Sequence, residues 1–215
     1  MDVLLDAAIA AAQAGGATLR ARAADFDEVR TKSSPVDFVS DADIAAGVAA
    51  VRAIAERVEG ARFVVEEPEV YALAGVTEGS LDDDEVWVID PLDGTTSFVH
   101  RFPCYSTSVA LLHSGQPVAG AVHNAVLRET TSALDGQGVW LDGVALNVTR
   151  AAAIDEALLI TGFPYDRGET LKKQMRVFAR IVLVAHGIRR DGSAAIDCCH
   201  VAAGRADGFW EFGLQ

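Results

Sequence analysis

The sequence is poor in cysteine, in proline and in positive charge. Its 215 residues hold 3 cysteines, Cys104, Cys198 and Cys199. An odd count with two adjacent thiols gives no framework of bridges, so a disulfide scaffold is excluded and reduced thiols are expected. Reduced thiols, with no basic, apolar leader after Met1, lead to the expectation of a cytoplasmic protein. No run of about 18 apolar residues exists, which excludes a membrane-spanning helix. Lys and Arg number 18 against 31 Asp and Glu, for a formal charge of −13 and a pI near 4.7. So few cations exclude the basic face of a typical nucleic-acid binder, and no nucleic acid is expected as a partner. Internal repeats and low-complexity linkers are lacking too, which leaves out solenoid and collagen-like architectures.

Half of the residues are apolar and 23% are charged, the balance of a soluble globular chain that buries a sizeable core. An acidic protein acting on an anionic substrate needs something to offset repulsion, and a divalent cation does so. Residues 2–24 are Ala-rich and predict a helix weakened at Gly15-Gly16. Lys32-Ser33-Ser34-Pro35 breaks the pattern. From Ser40 the spacing of Ile44, Val48, Val51, Ala55 and Val58 predicts an amphipathic helix, with Ser40 or Asp41 as N-cap and Asp43 in the first turn. Arg62–Glu66 reads as a strand, and 67–85 as a loop ending in the solvated acids Asp82-Asp83-Asp84-Glu85. Val86–Ile89 is a buried strand expected to end at Asp90.

Ser106–His113 and Pro117–His123 form a hairpin around Ser114-Gly115-Gln116. Strands at 130–134, 138–141 and 157–161 follow. A helix over 168–186, a strand at Ile188–Arg190, a helix over 193–203 and a strand at Gly208–Phe212 complete the reading. This mixture is α+β, or layered, rather than an all-parallel sheet.

The informative stretch is Trp87-Val88-Ile89-Asp90-Pro91-Leu92-Asp93-Gly94-Thr95-Thr96. An apolar strand delivers Asp90, and a turn at Pro91 lets Asp90 and Asp93 converge with the Leu92 carbonyl between them. Such oxygen ligands suit Mg²⁺. Gly94 permits close backbone approach, and Thr95 and Thr96 supply hydroxyl and N–H groups for an anion. Alone, Asp-Pro-x-Asp-Gly is also a common surface loop; the apolar run before it favours paired or coordinated charges. Glu66-Glu67 lies at another strand end, where one of the two carboxylates faces a given metal and the alternative is a solvated strand end.

Asp90–Pro103, reading Asp-Pro-Leu-Asp-Gly-Thr-Thr-Ser-Phe-Val-His-Arg-Phe-Pro, resembles the signature of the inositol monophosphatase family, with Ser97 where Asn is usual. Lys32–Asp43, Glu66-Glu67, Thr161-Gly162-Phe163-Pro164-Tyr165 and Arg189–Asp197 are similar to four further family segments in the same order. Pro68 departs from the small or polar residue that commonly follows the Glu pair. The resemblance implies a layered α-β-α-β-α sandwich of the inositol monophosphatase and fructose-1,6-bisphosphatase type. It would be one phosphatase domain, with a metal-binding part over 1–150 and the start of a smaller αβ part over 151–215.

The resemblance also implies Mg²⁺, two or three ions, hydrolysing a phosphate monoester of a small phosphorylated polyol or sugar, in a homodimer. By position, Glu66, Asp90 and the Leu92 carbonyl would hold the first metal, with Asp90 and Asp93 reaching the second. Asp43 would serve a third, near Lys32. Glu66, Asp90 and Thr95 would be catalytic, Thr95 and Glu66 orienting the attacking water. Asp93, Gly94, Thr95 and Thr96 would hold the substrate's phosphate side, and Gly192, Ser193, Ala194 and Glu211 its alcohol side. His100 is expected to be structural.

In the family, the strand carrying Glu211 continues to a Trp-Asp pair whose Asp is a further metal ligand. The expectation is therefore a chain lacking its C-terminal segment, which binds the first metal but hydrolyses poorly. Inositol monophosphate leads among substrates. Fructose-1,6-bisphosphate, histidinol phosphate and 3′-phosphoadenosine phosphate are alternatives, and Arg167, Arg189 and Arg190 are either receivers of a second anionic group or plain surface cations. The reading from another class is a non-catalytic regulatory binding protein on the same scaffold.

Overall fold

The computed structural model describes residues 3–24, 35–164 and 168–214, with backbone alone for 35–40. Lys32, Tyr165 and Arg167 lie outside the described residues. The chain divides into two compact units, Met1–Ala145 and Leu146–Gln215.

The first unit starts with α1 (Val3–Ala24), whose buried positions include Ala7, Ala8, Ala11, Ala12, Gly15, Gly16 and Leu19. Steps of three and four put these small residues on one stripe that can lie close to a sheet. Gly15 and Gly16, expected to weaken the helix, are where it docks. A Cβ on Gly15 would sit 2.6 Å from Thr107 Cγ2, and one on Gly16 would run into the His123 ring. Close approach outweighs the propensity cost of glycine here. The second helix, α2 (Pro35–Ala55), begins at Pro35 rather than after Ser40, so Ser40 or Asp41 as N-cap and Asp43 in the first turn are corrected. Pro35 is a starter rather than a breaker, because the first turn of a helix has no use for its missing N–H. Asp43 is thereby carried into the helix body and buried.

β1 (Arg62–Val65), α3 (Glu69–Ala74), β2 (Thr77–Glu78) and β3 (Glu85–Asp93) follow. The expected loop over 67–85 thus holds a short helix and a two-residue strand, elements too brief to leave a periodic signal. A one-turn helix α4 (Thr95–Val99) leads to β4 (Ser106–His113), β5 (Gln116–Asn124), β6 (Glu129–Leu134), β7 (Gly138–Leu141) and β8 (Val144–Ala145). The eight strands form one sheet in the order β2-β1-β3-β4-β5-β6-β7-β8. β1 pairs parallel with β2 and β3, and the rest is an antiparallel meander. Ser114 and Gly115 both have positive φ (49° and 74°) and make a two-residue turn, one residue shorter than the expected Ser114-Gly115-Gln116, because Gln116 already pairs with His113 as the first residue of β5.

The core packs α1 and α2 residues such as Ala8, Val51 and Ile54 on Phe63, Trp87, Val109 and Leu111 of the sheet. Beside it, Arg20 Nη1 lies 2.9 Å from His123 Nε2, and His123 Nδ1 lies 2.9 Å from Thr130 Oγ1. A guanidinium can only donate, so Nε2 accepts and Nδ1 carries the proton. Burial, and then the Arg20 charge, push the His123 pKa down to about 4, and the ring stays neutral.

The second unit holds a three-stranded parallel sheet, β10-β9-β11, of β9 (Leu158–Thr161), β10 (Gly187–Arg189) and β11 (Gly208–Trp210). Its helices are α5 (Glu169–Ile181) and α6 (Ala194–Ala202). α5 stops at Ile181, before the expected 186, where β-branched Val182 and Val184 lower the helix propensity. Buried Gln174 of α5 donates through Nε2 to Thr161 Oγ1 and to Gly162 O, both at 2.7 Å, while Thr161 Oγ1 donates to Trp210 O at 2.7 Å. This network ties together the ends of β9 and β11.

Candidate active site

β3 runs regularly against β4 until Asp90 stands opposite Ser108; the next pair is Asp93 with Ser106. Three steps on one strand against two on the other make a β-bulge. The expectation that Pro91 ends the strand at Asp90 is therefore corrected. Proline lacks a ladder N–H, and a bulge is where that loss costs least. The bulge also resets the alternation of faces. Residues three apart on a regular strand point to opposite sides, but Asp90 and Asp93 oppose Ser108 and Ser106, which share a side. Both aspartates consequently face the same way.

The bulge is fastened from three directions. Leu92 N–H donates to Asp90 Oδ1 (3.1 Å), Thr107 Oγ1 donates to the Pro91 carbonyl (2.8 Å), and Thr95 Oγ1 donates to the Leu92 carbonyl (3.2 Å). Gly94 has φ +96°, and a Cβ there would lie 2.7 Å from the Cys104 carbonyl, so only glycine fits. Its carbonyl accepts from Phe98 N–H (3.0 Å) and starts α4, with Thr95 half-buried and Thr96 exposed in its first turn. His100 is exposed at the end of that turn.

Sequence reasoning missed Thr107 here. The available signal was its phase: it shares the inward side of β4 with Val109 and Leu111, where a hydroxyl needs a buried partner. Gly15 of α1 is what gives Thr107 room.

The parallel pairing of Val65 with Ile89 brings the next residues, Glu66 and Asp90, alongside each other. Glu66 is exposed and Glu67 half-buried. Asp43, only 5% exposed, completes the group from α2, and its Oδ1 has no hydrogen-bond partner. Burial first, and then the charges of Asp90, Glu66 and Glu67, push the Asp43 pKa up to about 8. Burial, Asp93 and Glu66 push Asp90 up to about 7 against the Leu92 hydrogen bond. Burial, Glu69 and Glu66 raise Glu67 as well.

Among the described residues no three His, Cys, Asp or Glu side chains close on a common point. The four carboxylates Asp43, Glu66, Asp90 and Asp93 nonetheless share one electrostatic neighbourhood. An all-oxygen donor set with a buried, unpartnered carboxylate oxygen fits a hard divalent cation.

These charges make a measurable pH signature. The folded pKa values of Asp43 and Asp90 stand above the ordinary 3.8, so the folded protein holds extra protons and its stability falls as pH rises toward about 8. His123 contributes with the opposite sign between about 4 and 6.5 and fades above that, so the carboxylates dominate the window from pH 6.5 to 8. Thermal melts in EDTA are expected to show the melting temperature dropping across that window. A flat or rising profile contradicts the shared field.

The remaining expected residues lie in the second unit. Gly192 has φ +96°, and the fully buried Ser193 caps α6, its Oγ accepting from Ile196 N–H (3.3 Å). Ala194 is half-buried in the first turn of α6. Glu211 directly follows β11, and its carboxylate covers the Cα of Gly162. Arg189 and Arg190 are exposed. No helix among the described residues is long and apolar enough to cross a membrane.

The model of the inositol monophosphatase family matches residues 1–215. The chain belongs to the inositol monophosphatase family. The inositol-1-monophosphatase of Synechocystis sp. is 35% identical over 215 residues, which span all of this chain and 72% of that relative. A protein named Nus factor SuhB, from Escherichia coli strain K12, is 33% identical over 216 residues, spanning 100% of this chain and 78% of its own length.

Among solved structures, the inositol monophosphatase from Anabaena (Nostoc) sp. superposes with a TM-score of 0.83 at 32% identity, covering 99% of this chain and 75% of that one. Mycobacterium tuberculosis SuhB gives 0.81 at 32%, covering 99% and 78%. The mixed α+β fold expected from the sequence is thus the fold of the inositol monophosphatase family.

Proposed function

We propose that this chain is a cytoplasmic, homodimeric phosphatase that uses Mg²⁺ to hydrolyse the phosphate monoester of a small polyol, with inositol monophosphate as the leading substrate. The observation that carries the reading is the bulge that turns Asp90 and Asp93 to one face beside Glu66 and the buried, unpartnered Asp43. Glu66, Asp90, Asp93 and the Leu92 carbonyl would hold the metal, with Asp43 serving a further ion. The bound ion would acidify water and offset the charge of the phosphate.

The chain's own groups do the rest. Thr95 and Glu66 orient the attacking water, and Glu66 takes up its proton. The backbone at Gly94, Thr95 and Thr96 steadies the phosphate while the new O–P bond forms and the bond to the alcohol oxygen breaks. The alcohol leaves with a proton supplied from solvent. Gly192, Ser193, Ala194 and Glu211 would select the alcohol, Ser193 by its backbone since its hydroxyl caps α6. Positioning and charge neutralisation dominate such chemistry, and no protein nucleophile is required.

A second reading, a non-catalytic regulatory protein on the same scaffold, is favoured by the name Nus factor SuhB borne by relatives from Pasteurella multocida, Pseudomonas aeruginosa and Escherichia coli. A phosphate-release assay over inositol monophosphate, fructose-1,6-bisphosphate, histidinol phosphate and 3′-phosphoadenosine phosphate, with Mg²⁺ or with EDTA, separates the two. Turnover that requires Mg²⁺ and is fastest with inositol monophosphate is expected. No metal-dependent turnover of any of the four would leave the regulatory reading ahead.

A further inference from the structure

We propose that Tyr71, on the short helix α3, is a positioning residue for Glu66, standing in for a missing strand neighbour where β1 reaches the site. The inference rests on the reading of Glu66 as a metal ligand.

β2 covers only the start of β1: Arg62 pairs with Thr77 and Phe63 with Glu78, and Gly79 N–H donates to the Phe63 carbonyl at 2.7 Å. The N–H and C=O of residues two apart on a strand face the same edge. Those of Val65 therefore point the same way as those of Phe63, beyond the end of β2. The Tyr71 hydroxyl meets both: it accepts from Val65 N–H at 2.9 Å and donates to the Val65 carbonyl at 3.4 Å. One phenol thus supplies the acceptor and the donor that a neighbouring strand would have offered.

The consequence falls on Glu66. The Val65 carbonyl and the Glu66 N–H belong to one rigid peptide plane, so holding that carbonyl sets the backbone from which the Glu66 side chain departs. Glu66 is exposed and has no burial of its own to fix it, whereas Val65 is buried and paired with Ile89 on its other side. Tyr71 is itself well held. Its ring packs against the main core, the neighbouring Val70 is fully buried, and its carbonyl accepts from Gly75 N–H (3.0 Å) and Val76 N–H (3.2 Å). Pro68, the departure after the Glu pair, occupies the N-cap position of α3 and turns the chain so that Tyr71 comes back over the strand. A metal ligand on an exposed strand end needs such support, because affinity depends on how narrowly the ligand is oriented.

Tyr71→Phe removes the hydroxyl and keeps the ring. In the full chain, calorimetric titration with MgCl₂ is expected to show affinity about tenfold weaker than in the parent, the scale found for groups that orient metal ligands. Hydrogen exchange is expected to accelerate at the Val65 amide while the β4 and β5 amides keep their rates. Activity is expected to recover when Mg²⁺ is raised, which separates positioning from chemistry.

Glu66→Gln is the reference variant. If it weakens Mg²⁺ binding and Tyr71→Phe does not, the inference about Tyr71 fails and the metal reading stands. If neither parent nor variants bind Mg²⁺, the metal reading fails and takes the inference with it. Faster exchange across the whole first unit in Tyr71→Phe would make the residue a packing element only, and would overturn the inference as well.

Discussion

Asp90→Asn is expected to lower phosphate release by about 10²- to 10³-fold, the loss typical of removing one group that stabilises charge at a reacting centre. The same substitution is expected to raise the melting temperature of the Mg²⁺-free protein. Asp90 is a half-buried carboxylate whose pKa is pushed up to about 7 by burial, Asp93 and Glu66. Folding therefore works against its charge, and a neutral amide of the same shape relieves that penalty while keeping a carbonyl oxygen to accept from Leu92 N–H. The two effects have opposite signs, which distinguishes loss of a ligand from loss of the fold. Steady-state phosphate release and thermal melts in EDTA measure them on one sample. Activity close to that of the parent would remove Asp90 from the catalytic group.

Gly15→Ala and Gly16→Ala are expected to destabilise the chain by about 1–3 kcal/mol each, the cost of forcing extra volume into a packed interface. This loss opposes helix propensity, which alone favours alanine over glycine by about 1 kcal/mol. Steric overlap wins because a Cβ on Gly15 meets two atoms of Thr107 at 2.6 and 2.7 Å, and one on Gly16 meets the His123 ring, which Arg20 and Thr130 already hold. Urea denaturation measures both losses. The two variants are also expected to differ in activity. Thr107 holds the Pro91 carbonyl inside the bulge, so Gly15→Ala lowers kcat in molecules that remain folded, whereas Gly16→Ala leaves kcat near the parent value. A stabilised Gly15→Ala would mean that α1 does not rest on β4 as described.

Much of this could be read from the amino acids. The hairpin at Ser114-Gly115, the strands that follow it and the acidic ends of β1 and β3 came from local rules: turn chemistry, alternation and apolar runs. What escaped was set by tertiary contact. The glycines of α1 read as weakness because propensity knows nothing of the sheet beneath them. Pro35 and Pro91 read as stops because the same residue also starts helices and sits in bulges, and only the surrounding pairing decides which. The helix Glu69–Ala74 and the strand Thr77–Glu78 were too short to leave a periodic trace, yet they carry Tyr71 to the edge of β1. For the site, the residue types and their order were legible; the shared face of Asp90 and Asp93 was not, because it depends on the register with β4.

That register has a consequence for how the segment can change over generations. A substitution at Pro91 or Leu92 alters the chemistry of the bulge but leaves the count of residues between Asp90 and Asp93 intact. A deletion of a single residue does the reverse: it removes the extra residue, so the strand pairs regularly with Ser106 and Ser108 and keeps both aspartates on one side, but the bulge itself is lost. The stretch is therefore free to drift in composition and rigid in length, so that a one-codon gap there marks a descendant whose two carboxylates no longer flank a bulge fastened by Thr107 and Thr95.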